Sequence, residues 1–111
     1  NGPLSSFLAT LSPLQRNLVL ILAEKIKQSD DDETVFRFVI SDLTDGIETD
    51  GIEPRENFEK AVNQLKSREI ILDQKKTKKS LRLIASAEIF EEGEMEIEVS
   101  SKFASFIRSS L

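Results

Sequence analysis

Apolar and polar positions alternate with two different periods along this chain. Leu14, Leu18, Ile21, Leu22 and Ile26 recur at helical spacing, and Val19, Leu20 and Ala23 widen the stripe. This pattern predicts a helix from Pro13 with a broad, core-facing side. Ser12 suits its N-cap, and Pro13 suits the first turn, where a missing N–H goes unnoticed. The stripe stops at the polar run Gln28 to Glu33, which reads as a solvated loop. Thr34 to Ile40 then alternates, with Phe36, Phe38 and Ile40 on one face, and predicts a strand. Ser41-Asp42 is placed to cap a short helix containing Leu43. Phe58, Ala61, Val62 and Leu65 mark a second strong helix over Glu53 to Ser67, opened by Pro54. Glu56, Lys60, Asn63 and Ser67 lie on its other side and face solvent or a ligand.

The last third changes to period two. Ile70-Ile71-Leu72 is a short strand, and Asp73 to Lys79 is a polar, Lys-rich connection. Leu81, Leu83, Ala85, Ala87 and Ile89 predict one further strand. Glu91-Glu92-Gly93 predicts a turn, and Met95, Ile97 and Val99 alternate with Glu94, Glu96 and Glu98 in a half-buried antiparallel strand. Ser100-Ser101 caps a final helix carrying Phe103, Phe106 and Ile107. The order of elements is that of a winged helix, an α+β fold with a three-stranded antiparallel sheet. No linker divides residues 1–111, so one domain is expected. The recognition helix would be Glu53 to Ser67, and the wing Asp73 to Lys79.

Composition narrows the chemistry. The 111 residues contain no Cys, His, Tyr or Trp. Disulfides, thiolate zinc sites, imidazole bases and tyrosine nucleophiles are thereby excluded. Nothing marks a pair of carboxylates converging on a pocket, so no enzyme is expected. The longest apolar run, Leu18 to Ala23, falls well short of the roughly 18 residues of a membrane span. No signal peptide is evident, which makes a cytoplasmic setting the expectation. Asn1-Gly2-Pro3 reads as a cloning scar without structural weight.

The net charge of −5 argues against indiscriminate coating of nucleic acid. Its distribution points the other way. Between Arg68 and Arg82 stand Arg68, Lys75, Lys76, Lys78, Lys79 and Arg82, against only Glu69 and Asp73. Between Gln28 and Glu56 ten carboxylates face only Arg37 and Arg55. A Lys-rich hairpin tip suits phosphate contact, because ammonium groups reach backbone oxygens without reading sequence. Asn63 and Gln64 are the amides that would meet base edges. The candidate DNA-binding set is Lys60, Asn63, Gln64, Ser67, Arg68, Lys75, Lys76, Lys78, Lys79 and Arg82.

Two other features invite chemistry. Asp45-Gly46-Ile47-Glu48 and Asp50-Gly51-Ile52-Glu53 repeat a small acidic unit, but a calcium loop would need Gly46 or Leu43 as ligands. A turn-rich solvated loop is expected, with no metal and no cofactor. The stripe of Glu94, Glu96 and Glu98 is expected to guard a sheet edge. Docking of a basic partner is the alternative.

The same stretches resemble the N-terminal winged-helix domain of the plasmid replication initiator proteins (Rep_3-like initiators). Leu11-Ser12-Pro13-Leu14-Gln15-Arg16 looks like the family's opening "L-S-x-x-Q-R" helix. Phe36 to Leu43 is similar to its first strand and short helix, and Phe58 to Ile70 to its recognition helix. Leu83 to Ser100 is similar to its hairpin, and Phe103 to Leu111 to the helix that follows. The glycine-containing Asp45 to Gly51 departs from the family, which has a more regular helix there. The resemblance implies two winged-helix domains in the whole initiator, of which this chain carries the first. It implies binding to repeated double-stranded sites at a plasmid origin, a homodimer, and host replication proteins as further partners. The second domain would make the main base contacts. The competing expectation is a winged-helix protein-interaction module that dimerises or docks a partner with little DNA contact.

Overall fold

A computed structural model describes residues 3–30, 32–44, 54–73 and 77–109. Its first helix, α1 (Pro3–Leu8), corrects the reading of the N-terminus, since Pro3 opens it. Its signal lies in Leu4, Phe7, Leu8 and Leu11, spaced i, i+3, i+4, i+7. Phe7 and Leu11 are buried, and Leu4 and Leu8 pack against the core.

Helix α2 (Pro13–Gln28) begins at a complete capping box. The Ser12 hydroxyl accepts from the Gln15 N–H at 3.3 Å, and Gln15 Oε1 accepts from the Ser12 N–H at 3.1 Å. Two backbone donors that the first turn leaves free are thereby satisfied. The helix buries Leu14, Leu18, Val19, Leu22, Ala23 and Ile26. Strand β1 (Val35–Val39) buries Phe36 and Phe38 as the alternation predicted. Helix α3 (Ile40–Thr44) follows at once, with Ser41 and Asp42 inside its first turn rather than ahead of it. Helix α4 (Pro54–Lys66) buries Phe58, Ala61, Val62 and Leu65. The acidic repeat at residues 45–53 lies outside the described residues.

The predicted hairpin across residues 73–79 is present, but it stands apart from the three-stranded sheet. Among the described residues, strands β2 (Glu69–Asp73) and β3 (Lys78–Arg82) pair with each other alone, as a separate antiparallel ribbon. The expected single strand over residues 81–89 breaks at Leu83, where the chain bends into β4 (Ile84–Ile89). Leu83 and Ile84 are both buried, so the alternation cannot run straight through. Ala85 is then the extra residue of a bulge between Ile84 and Ser86, which returns Ala87 and Ile89 to the inner face.

Strand β5 (Glu94–Val99) pairs with β4 on one side and β1 on the other, giving a three-stranded antiparallel sheet in the order β1-β5-β4. This is the winged-helix sheet. The hairpin that completes it is β4–β5, whose turn at Phe90 to Gly93 is short and acidic. Residues 74–76, in the Lys-rich stretch between β2 and β3, lie outside the described residues. Gly93 takes φ +87°, a conformation that favours glycine, and its N–H donates to the Phe90 carbonyl at 3.1 Å. Because β5 is central, its glutamates guard no edge, contrary to the expectation for Glu94, Glu96 and Glu98.

Helix α5 (Ser101–Ser109) is capped by Ser100, whose hydroxyl accepts from the Phe103 N–H at 3.0 Å. It buries Phe103, Ala104 and Ile107 and packs against α2 and β3. Helix α4 packs against α2 and β4. One continuous apolar core, with Phe58, Leu65, Met95, Ile97 and Phe103 fully buried, joins all these elements.

Candidate nucleic-acid interface

The outer face of α4 follows from its inner one. Burying positions 58, 61, 62 and 65 turns Glu56, Glu59, Lys60, Asn63, Gln64 and Ser67 outward, and all six are exposed. Together they line an open groove of about 520 Å³. Charge changes sign along it. Glu56 sits in the first turn of α4, where a carboxylate suits the helix dipole, and Lys66 in the last, while Glu59 and Lys60 lie side by side at mid-helix.

Three of the predicted residues are already engaged. Gln64 Oε1 accepts from Gln15 Nε2 at 2.9 Å. Arg68, half-buried just beyond α4, donates to the Thr10 hydroxyl at 2.7 Å and lies 5.1 Å from the centre of the Phe7 ring. Its guanidinium thus fastens α1 to the end of α4. Ser67 donates to the Gln64 carbonyl at 2.9 Å and closes the last turn of the helix.

Lys78, Lys79 and Arg82 are exposed on β3. Their registers differ in kind. Lys78 stands opposite Asp73 and Arg82 opposite Glu69, whereas Lys79 stands opposite Leu72. Lys75 and Lys76 lie outside the described residues. Sequence reasoning brought α4 and the ribbon together through chain order alone. In the structure they are joined by the two residues Ser67 and Arg68.

Gln15 and Asn57 were missed. Gln15 is the one buried polar residue among the described residues. With Ser12, Pro13, Leu14, Asn57, Lys60, Ala61 and Gln64 there is a second cleft, of about 290 Å³, between the start of α2 and α4. The S-x-x-Q capping signature at Ser12 to Gln15 was the available signal for Gln15.

The outer face of the three-stranded sheet has the wrong sign for DNA. Glu94, Glu96, Glu98 and Glu88 stand there with Arg37. Arg37 reaches Glu94 at 3.5 Å and Glu96 at 4.0 Å, and its guanidinium lies 4.5 Å from the centre of the Phe90 ring. Among the described residues, no group of three or more carboxylates could hold a metal ion.

The sequence profile of the family described as "Initiator Replication protein, WH1" matches residues 4–109. The chain belongs to this family, as its WH1 domain. Among solved structures, the WH1 domain is similar to the crystal structure of the MSBI1.176 WH1 domain, a replication protein isolated from a multiple sclerosis patient. The identity is 10%, the TM-score is 0.60, and the match covers 96% of this chain and 88% of that one. At that identity the likeness is one of fold. No curated protein matches the WH1 domain closely enough to be informative. Among its described residues, no helix is long and apolar enough to cross a membrane.

Proposed function

We propose that this WH1 domain binds double-stranded DNA at repeated sites in a plasmid replication origin, in the cytoplasm and without catalysing a reaction. The observation that carries the reading is the exposed outer face of α4, which leads through two residues into a ribbon bearing Lys78, Lys79 and Arg82. Lys60 and the ribbon cations would contact phosphates, and Asn63 and Gln64 would face the bases. Arg68 supports this surface by holding α1 in place. The acidic outer face of the sheet would point away from the duplex.

The test is selection of duplexes from a randomised pool, followed by anisotropy titration of the enriched sequence. An enriched sequence whose preference relaxes in Asn63→Ala supports the reading. A pool that never departs from random opposes it.

We also propose that two copies pair, or that the domain docks a host replication protein. The supporting observation is Ile71, 62% exposed on β2, with Val35 and Val39 each 45% exposed on β1. Sedimentation velocity should show a concentration-dependent dimer that Ile71→Lys weakens. A monomer at all concentrations, with no host replication protein bound, opposes pairing and docking alike.

A further inference from the structure

Gln15 ties the start of α2 to the outer face of α4, and the atoms it uses fix which way the Gln64 amide faces. The Ser12 backbone N–H can only donate, so the Gln15 atom 3.1 Å from it is the oxygen. The Ala61 carbonyl can only accept, so the Gln15 atom 3.5 Å from it is the nitrogen. Backbone groups therefore set the orientation of Gln15 from both ends. The Gln64 atom 2.9 Å from Gln15 Nε2 must then accept, and is Oε1. This leaves Gln64 Nε2, with its two N–H donors, turned away from Gln15. Among the described residues that nitrogen has no protein partner.

Exposed glutamines ordinarily rotate freely and offer either end of the amide. Here the choice is made before any ligand arrives, by a side chain that is only 7% exposed. Gln64 also borders the 290 Å³ cleft that Lys60 and Asn57 line. A fixed amide donor beside an ammonium group suits an oxygen or nitrogen acceptor. It does not suit the paired donor and acceptor of an adenine edge, which needs both ends of the amide.

The geometry points to Gln15 as a positioning residue that presents Gln64 to DNA as a hydrogen-bond donor, and to the α2–α4 cleft as the place where an acceptor of the duplex sits. This inference rests on the DNA-binding reading above. Two sources supply such an acceptor: a backbone phosphate oxygen, and guanine N7 or O6 in the major groove.

The experiment is a double-mutant cycle in the whole chain, read by anisotropy on the selected duplex. Gln64→Ala should weaken binding roughly tenfold. Gln15→Met keeps the volume and removes the anchor, and should weaken binding by a smaller factor. The double variant should bind no worse than Gln64→Ala alone, because Gln15 acts only through Gln64. Circular dichroism checks that each variant folds. If Gln15→Met does not, nitrogen-15 relaxation of the Gln64 side-chain amide in the unaltered chain takes its place. That amide should be as rigid as the helix backbone.

Methylphosphonate substitution and 7-deazaguanine substitution in the duplex separate the two sources. One of them should abolish the effect of Gln64→Ala. Independent, multiplicative losses in the cycle overturn the inference, as does a freely rotating Gln64 amide. Wild-type affinity of Gln64→Ala overturns it while leaving the DNA-binding reading intact. Failure to bind any duplex overturns both.

Discussion

Arg68 and Thr10 stand 58 positions apart in sequence and meet at 2.7 Å, guanidinium to hydroxyl. Phe7 lies beneath the same guanidinium. The contact closes α1 onto the end of α4, so a residue with the chemistry of a phosphate ligand serves as a brace. Arg68→Ala should lower unfolding free energy by about 1 kcal/mol, the scale of one hydrogen bond with a modest cation–π contact. For a domain of this size that is a fall of about 4–8 °C in Tm, measured by thermal denaturation. Arg68→Lys should recover little of it, because an ammonium group lacks the planar stacking surface.

A second brace holds the segment after α2 to the last helix. One guanidinium nitrogen of Arg108 lies 2.6 Å from the Asp30 carbonyl, 2.8 Å from that of Glu33 and 3.0 Å from the Ser29 hydroxyl. It gathers the loop after α2 onto α5. Arg108→Ala should cost about 1–3 kcal/mol in urea unfolding, since the charged donor serves several acceptors at once. Hydrogen exchange should quicken first between residues 29 and 34.

The turn between β4 and β5 offers a cleaner case. A Cβ at Gly93 would meet nothing within 4 Å, so only its φ of +87° resists substitution. Gly93→Ala should therefore cost about 1–2 kcal/mol, all of it backbone strain. Gly93→Asn should cost less, because asparagine tolerates positive φ better. Equal losses for the two variants in chemical denaturation would contradict this account.

The helices were legible because their signals are local. Ser12-Pro13 announces α2, Pro54 opens α4, and the stripe of Phe58, Ala61, Val62 and Leu65 names the buried face without any knowledge of what it packs on. The sheet was only half legible. Alternation found the strand residues, but strand pairing is set by contacts distant in sequence. The break at Leu83 and the bulge at Ala85 conceal two strands within one apparent alternation. For the same reason Glu94, Glu96 and Glu98 read as an edge stripe although β5 is the central strand.

The candidate site divides in the same way. Exposure of Lys60, Asn63, Gln64 and Ser67 follows from the helical period alone. The engagement of Arg68 by Phe7 and Thr10, and of Gln64 by Gln15, required the tertiary fold. Each depends on a contact across more than forty positions.

The core position of β5 gives a contrasting pair. Ile97 is fully buried between its two neighbouring strands, and Glu98 on the other face is exposed. Ile97→Ala should cost about 2–5 kcal/mol, from lost burial and the cavity left behind. Glu98→Ala should change stability by less than about 0.5 kcal/mol. Equilibrium urea unfolding of both variants checks the assigned faces of the strand.

The most direct test of the DNA-binding account is the slope of log affinity against log salt, measured by fluorescence anisotropy on the selected duplex. Each phosphate contact contributes about 0.9 to that slope through counterion release. The triple variant Lys78→Ala, Lys79→Ala, Arg82→Ala should bind more weakly at low salt, with a slope shallower by about 2.7. An unchanged slope in a folded triple variant, or binding indifferent to salt, would contradict the account.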